Sequence, residues 1–367
     1  MSDRSTDRRF MRRALALALR GRGTTAPNPM VGAVVVRDGR VVGEGFTQPY
    51  GGPHAEVQAL RAAGELARGA TLYATLEPCA NHGKTPPCVD ALISAGVTRV
   101  VFAASDPNPV MRGGEEKLRA AGIEVLGGVD AQAAADQNPA FFHRFRSDRP
   151  FVTLKLALSI DGAMADARRV SGWLTGAAAR REVHRQRADH DAIAVGVGTA
   201  IADDPQLTVR GVKVRRAAPT RVIFDRSGRI PLDGALVRTA RETPVLVVAE
   251  TVAPDRRATL EQAGVRLLTA TGLAAQLRSL RGDAGIESVY CEGGASLAQA
   301  LLADRLVDWL VIFTAPVRLG ADAVRPLVSG PPVFVAQAVR HRLVAHRRLG
   351  DDLMAIYDLT SSVHRTR

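Results

Sequence analysis

Apolar positions in the first part of the chain follow two alternating periods, one helical and one extended. Met11, Leu15, Ala18 and Leu19 recur at helical spacing behind a Ser5/Thr6/Asp7 cap, which predicts an amphipathic helix near residues 6–21. Pro27-Asn28-Pro29 ends that pattern, and Val31–Val36 reads as a strand. Asp38-Gly39 is a two-residue hairpin signal, after which Val41–Gly45 returns. A helix is expected from about His54, a strand over Ala70–Leu76 and a helix over Pro87–Ala95. Thr98–Ala103 reads as a strand, Glu115–Ala121 as a helix and Ile123–Leu126 as a last strand. Such alternation predicts a mixed sheet covered by helices, an α/β fold.

The periodicity breaks over Asn138–Pro150, where Arg144, Arg146, Ser147, Asp148, Arg149 and Pro150 supply no apolar repeat. Two domains are therefore expected, 1–147 and 148–367. Beyond the break, strands are predicted at Phe151–Leu158, Asp191–Gly196, Thr220–Asp225, Pro244–Ala249, Ser288–Cys291, Leu306–Thr314 and Asp352–Leu359. Helices are expected at Ala177–Arg187, Leu273–Arg281 and Ala295–Ala303. The two halves show no repeat of one another.

Length and composition agree with this division. A chain of 367 residues exceeds one typical domain, and 46% hydrophobic residues suffice for two cores. Three cysteines form no disulfide framework, which points to a reducing cytoplasm. The apolar run between Arg13 and Arg20 is too short for a signal peptide, and no segment is apolar enough to span a bilayer. The net charge of +12 would suit nucleic acid, yet it is spread out. Residues 1–150 hold 19 basic and 15 acidic side chains, and the remainder holds 30 and 22. With aromatics at 4%, base-stacking platforms are not expected, and phosphorylated small molecules suffice as the acidic partner.

The chemistry concentrates at His54-Ala55-Glu56, Pro78-Cys79 and Cys88. One imidazole and two thiolates make three zinc ligands, and three protein ligands leave a fourth tetrahedral position open for catalysis. A structural zinc would want a fourth ligand, for which His82 is the nearby candidate. Glu56 is placed to carry protons between an activated water and a departing amine, so the trio and the glutamate resemble the zinc nucleobase-deaminase signature. That signature separates its cysteines by two residues, whereas eight lie between Cys79 and Cys88. The intervening loop carries His82 and Lys84, which could meet a phosphate or a ring oxygen. At this point the residues admit either a small-molecule deaminase or a zinc nucleobase or RNA deaminase with a basic binding domain.

Glu77-Pro78-Cys79 with Gly83-Lys84-Thr85-Pro86-Pro87-Cys88 resembles the bifunctional riboflavin-biosynthesis deaminase/reductases. So do Pro27-Asn28-Pro29, Asp106-Pro107-Asn108-Pro109, Ser159-Ile160-Asp161-Gly162 and Ser171-Gly172-Trp173-Leu174-Thr175-Gly176. Gly198-Thr199, Asp203-Asp204-Pro205 with Leu207 and Arg210, and Glu292-Gly293-Gly294 extend the likeness to about Gly320. The resemblance implies a cytidine-deaminase-like α/β/α domain followed by a dihydrofolate-reductase-like α/β domain, with zinc and NADPH as cofactors. It implies deamination of 2,5-diamino-6-(5-phosphoribosylamino)pyrimidin-4(3H)-one. NADPH-dependent reduction of the ribosyl group to ribityl follows, giving 5-amino-6-(5-phosphoribitylamino)uracil. It also suggests a homodimer or tetramer.

Carried over by position, His54, Cys79 and Cys88 bind zinc and Glu56 is catalytic. Asn28, His82 and Lys84 fall on the deaminase substrate. Ala157, Trp173, Thr199, Asp203 and Gly294 fall on NADPH. Ser171, Leu207, Arg210 and Glu292 fall on the reductase substrate, and Lys155 alternates to the same strand face as Ala157. Arg180, Arg226 and Arg229 are candidates for the cofactor's 2′-phosphate. Family members usually carry histidine at Thr47 and Asn81, arginine at Lys84 and an acidic residue at Trp309.

Overall fold

A computed structural model describes residues 4–168, 172–213, 217–327 and 337–362. Two compact units divide the chain, Met1–Arg146 and Ser147–Arg367.

The first unit opens with α1 (Arg4–Ala18) and the hairpin β1 (Gly32–Arg37) and β2 (Arg40–Phe46). Then come α2 (Ala55–Ala63), β3 (Thr71–Leu76), α3 (Cys88–Ala95) and β4 (Arg99–Ala104). It closes with α4 (Gly114–Ala120), β5 (Glu124–Leu126), α5 (Ala131–Gln137) and α6 (Pro139–His143). Its five strands order β2-β1-β3-β4-β5, antiparallel on the hairpin side and parallel from β3 to β5. Asp38 and Gly39 both take positive φ, as a tight primed hairpin turn requires.

Gly45 decides how closely α2 lies on β2. A Cβ there would stand 2.2 Å from the Ala55 carbonyl oxygen, so only glycine lets the start of α2 approach the strand. That start carries Glu56.

Asp7 does not act as a simple helix cap. It is buried inside the first turn of α1, where its carboxylate accepts both terminal nitrogens of Arg99 at 2.8 and 3.0 Å and the Tyr73 hydroxyl at 2.8 Å. Asp7→Ala is expected to cost about 3 kcal/mol, because it leaves the terminal nitrogens of a partly buried guanidinium without their carboxylate, with only the exposed Glu124 still paired to Nε at 2.9 Å. Thermal unfolding of the full chain should show the first unit melting earlier while the second keeps its midpoint.

The second unit begins with β6 (Phe151–Ser159), α7 (Ala177–Asp189), β7 (Ala192–Gly196), α8 (Val197–Asp203) and β8 (Thr220–Phe224). It continues through α9 (Ala235–Arg238), β9 (Val245–Ala249), α10 (Pro254–Gln262), β10 (Val265–Thr269) and α11 (Leu273–Gly282). The last elements are β11 (Ser288–Cys291), α12 (Ala295–Ala303), β12 (Trp309–Ala315), β13 (His341–Leu349) and β14 (Asp352–Ser362). The nine strands order β10-β9-β8-β7-β11-β6-β12-β14-β13, parallel from β10 to β12 and antiparallel at the β14-β13 end.

Both faces of this sheet are covered, which accounts for strands apolar at almost every position. Leu154, Ala194 and Val222 meet Leu277, Ala298 and Leu301 on one side. Ile193, Val195 and Ile223 meet Val197, Ala200 and Leu236 on the other. α8 and α12 follow the neighbouring strands β7 and β11 and pack on opposite faces. The crevice where such connections diverge is where open parallel sheets bind ligands.

Several elements differ from the sequence expectation. The stretch around Asn138 contains α6, and α5 precedes it. Gly196 ends β7 as predicted and also caps α8, a helix that the sequence does not predict. β10, β13, α9 and α10 are not predicted by the sequence, and the strand expected from Leu306 starts at Trp309 as β12. Trp309 packs edge-on against Phe151, with ring centroids 5.4 Å apart.

Candidate active sites

His54 is the N-cap of α2, and Cys88 is the first residue of α3. Cys79 lies in the turn after β3, with its sulfur accepting the Cys88 backbone N–H at 3.3 Å. His54 Nδ1 sits 3.3 Å from Cys88 Sγ and 3.6 Å from Cys79 Sγ. A tetrahedral zinc with ordinary Zn–N and Zn–S bonds would separate nitrogen from sulfur by about 3.6 Å, so the trio fits the ion. Among the described residues these three alone cluster as metal ligands, with all their ligand atoms within 4.8 Å of one another. His82 stands exposed on the loop, outside the cluster, so among the described residues no fourth protein ligand closes the site.

The electrostatics suit a catalytic metal. Hydrogen bonding from Cys88 and His54 lowers the Cys79 thiol to about 4, while sharing that proton and burial push Cys88 well up. The bond to Cys79 raises His54 to about 9. A dication would hold both sulfurs as thiolates and the imidazole neutral. Burial raises Glu56 to about 7, the range in which a carboxyl can both take and give a proton near neutrality.

Thr85 was not singled out by its residue type, yet its Oγ1 lies 3.4 Å from His54 Nε2. It sits opposite the ligating nitrogen and orients the ring, as outer partners of metal-bound histidines do. Thr85→Val is expected to weaken zinc affinity about 10-fold or more, read by competition with a chromogenic chelator.

A cavity of about 360 Å³ opens over the trio, and Asn28, Thr47, Tyr50, Asn81, Lys84 and Arg144 contribute to its wall. Lys84 folds over the Tyr50 ring at 4.3 Å, keeping its ammonium at the rim. Thr47 Oγ1 bonds both the N–H and the carbonyl of Val31, so it braces the β1 entry. Asn81 donates to the Val110 carbonyl at 2.6 Å and receives Lys117 at 3.4 Å, tying the cysteine loop to residues 108–111. Asp106 and Asn108 also face the cavity, and burial raises Asp106 to about 6. Their signal was present in the sequence as two Asx residues around a proline. Asn108 N–H donates to Asp106 at 2.8 Å and Val110 N–H to Asn108 at 3.0 Å. Glu77 anchors the same segment by accepting the N–H groups of Asp106, Gly113 and Glu115.

In the second unit, Gly196 and Gly294 cap α8 and α12 beside the crevice. A Cβ on Gly294 would stand 3.0 Å from Thr199 Oγ1, which brings two helix N-termini and their free N–H groups side by side. Such a cradle fits the diphosphate of a dinucleotide. Gly294→Val should raise the KM for NADPH at least tenfold, with deamination unchanged in the same preparation.

Lys155 and Glu292 meet at 3.9 Å, and Arg187 clamps Glu292 in a bidentate pair whose second bond is 3.0 Å. Burial works against Glu292, but Arg187 and Lys155 keep its carboxyl below the ordinary value. Arg187 also donates to the Thr208 carbonyl at 2.8 Å. Ala157 lies near the end of β6, opposite Phe313. Asp203 ends α8, and Leu207 is buried with positive φ. Arg210 N–H donates to His184 Nδ1 at 3.1 Å. Trp173 is 73% exposed under the Arg180 guanidinium, whereas Arg226 points outward near Glu250. Ser171 lies outside the described residues. Cys291 is fully buried, and burial pushes its thiol up to about 12, so it is a packing residue.

Known proteins match both halves. Residues 4–104 match the cytidine and deoxycytidylate deaminase zinc-binding region, and residues 150–355 match the RibD C-terminal domain. The riboflavin biosynthesis protein RibD of Aquifex aeolicus is 42% identical over 96% of this chain and 99% of its own length. That of Escherichia coli is 42% identical over 95% and 98%. The Acinetobacter baumannii RibD structure superposes with a TM-score of 0.84 at 40% identity, covering 99% of this chain and all of its own. The Thermotoga maritima deaminase/reductase gives 0.81 at 35%, covering 97% and 99%.

Fold and site together define a zinc-dependent deaminase joined to an NADPH-dependent reductase. More narrowly, the chain belongs to the RibD family, the bifunctional deaminase/reductases of riboflavin biosynthesis. No helix among the described residues is long and apolar enough to cross a membrane.

Proposed function

We propose that the first unit hydrolyses the 2-amino group of 2,5-diamino-6-(5-phosphoribosylamino)pyrimidin-4(3H)-one. The second then reduces the ribosyl group of the product to ribityl. The observation carrying this reading is the open three-ligand cluster with Glu56 buried beside it, on a chain whose other half caps two helices at a parallel-sheet crevice. The Thermotoga maritima protein's description names both a diaminohydroxyphosphoribosylaminopyrimidine deaminase and a 5-amino-6-(5-phosphoribosylamino)uracil reductase.

His54, Cys79 and Cys88 would hold zinc, which supplies a Lewis acid for hydrolysis when bound. Glu56 takes a proton from the attacking water and delivers it to the amine nitrogen, so that ammonia departs neutral. Asn28 orients the ring, while Lys84 at the rim, with His82 beyond it, offers charge to the phosphate end. In the second unit NADPH supplies the reducing equivalents, held by Ala157, Trp173, Thr199, Asp203 and the Gly294 turn. Ser171, Leu207, Arg210 and Glu292 grip the phosphoribosyl substrate, with Lys155 beside Glu292. The enzyme works in the cytoplasm as a homodimer or tetramer, without nucleic acid.

The test is one coupled assay. Purified protein given the diaminopyrimidine should release ammonia without NADPH and should consume NADPH only after that release. Ammonia from tRNA or cytidine, and none from the diaminopyrimidine, would sink the reading.

A further inference from the structure

The segment 204–210 joins two residues assigned to the reductase substrate, Leu207 and Arg210, and the chain holds it under backbone strain. Asp204 has φ of 37° and Leu207 of 48°, a left-handed conformation that aspartate visits but that a bulky leucine rarely adopts. Such residues persist only where their surroundings fix them. Here the surroundings are a short helix and a buried cation, neither of which belongs to the reacting groups.

Asp204 Oδ1 accepts the Ala235 N–H at 2.6 Å, so the segment's first residue caps α9. Its other oxygen lies 3.9 Å from Arg238 at the far end of that helix. Arg221, on β8, is 1% exposed and donates to neutral oxygens. Its guanidinium reaches the Gln206 carbonyl at 3.3 Å, the Thr239 hydroxyl at 2.7 Å, the Thr239 carbonyl at 2.8 Å and the Thr243 carbonyl. Both ends of α9 are thereby fastened to the segment, one through Asp204 and one through Arg221. A buried arginine spent on four neutral acceptors is costly for stability alone, since an apolar side chain of similar volume could fill the space.

We infer that Asp204, α9 and Arg221 form a clamp that sets the reach of Arg210 toward the phosphate of the reductase substrate. Arg187 and His184 complete the seat from the other side, at the Thr208 carbonyl and the Arg210 N–H. Asp204 and Arg221 are positioning residues: they touch the segment, and only the segment touches substrate. The inference rests on the proposed role of Arg210, and the experiment separates the two.

Asp204 is half exposed, so its variants should fold. Reductase kinetics on the full chain are compared for Asp204→Ala, Asp204→Asn and Arg210→Ala, using the deaminated phosphoribosyl substrate. Asp204→Ala is expected to raise the substrate KM at least fivefold, with the NADPH KM within twofold of wild type. Asp204→Asn keeps the capping oxygen and tolerates positive φ, so it should restore the substrate KM. Arg221→Met, where it folds, should follow Asp204→Ala. An unchanged substrate KM in Asp204→Ala beside a raised one in Arg210→Ala overturns the clamp and leaves the site reading intact. Equal rises in Asp204→Ala and Asp204→Asn also overturn it, by making charge rather than geometry the cause. An unchanged KM in Arg210→Ala overturns the reading of Arg210 and the clamp with it.

Discussion

Glu56→Gln is expected to reduce the deaminase kcat by about 10³-fold, the middle of what a positioned proton carrier contributes. The amide matches the carboxyl in shape, so α2 and the Gly45 approach should remain as they are. Zinc content should stay at one per chain, because Glu56 is not among the three clustered ligands. Burial raises the Glu56 carboxyl to about 7, and a nearby dication pulls such a group back down. Wild-type deamination should therefore fall as pH drops and Glu56 becomes protonated before it can accept the water's proton. The Gln variant should show a flat residual rate over the same range. Reduction of already deaminated substrate should continue unchanged. Joint loss of both activities at full zinc occupancy would contradict the division into separable sites.

The zinc trio was legible because metal chemistry dictates both residue type and order. His54 and Cys88 were also correctly expected at helix starts, where N–H groups favour thiolates. Thr85 was not legible. A threonine between lysine and prolines carries no signature, and its role appears only when the loop folds back over His54. Arg187 escaped for a different reason. It sits within Arg180-Arg181-Glu182-Val183-His184-Arg185-Gln186-Arg187, which reads as a solvated helix face. Its burial depends on Glu292, 105 residues away.

The same logic explains the elements that were missed. β13 alternates weakly and is basic because it forms the sheet edge, where one side has no partner strand among the described residues. α8 carries glycine at its cap and at its second position, Gly196 and Gly198, which lowers helix propensity there. The close approach belongs to Gly294, whose Cβ would stand 3.0 Å from Thr199 Oγ1, whereas a Cβ on Gly198 would meet open space. At Thr47 the expected imidazole is replaced by a hydroxyl bonded to Val31 on both sides. The deaminase cavity therefore loses a titratable group at that wall while the strand entry keeps its bracing.

Arg187→Met should be the most damaging single change in the second unit. It removes a bidentate cation from a carboxylate within the fold and frees the Thr208 carbonyl, leaving Lys155 at 3.9 Å as the remaining partner. Breaking a buried pair in this way costs about 3–5 kcal/mol. Reductase turnover should be lost, while ammonia release persists. The pH dependence carries a definite sign. In the wild type Glu292 is held below its unfolded value, so the pair's stability is present above about pH 4.5 and is lost as pH falls through the lower folded value. In the variant, burial acts with one cation fewer and raises Glu292. The unfolded chain then releases its proton first, and the variant loses stability as pH rises. The gap in urea midpoint between wild type and variant should therefore be wider at pH 8 than at pH 5. The double variant Arg187→Met/Glu292→Gln should recover much of the midpoint without recovering turnover, because the amide needs no counter-ion but cannot serve the substrate. A gap independent of pH would show that Arg187 acts by packing, not by charge.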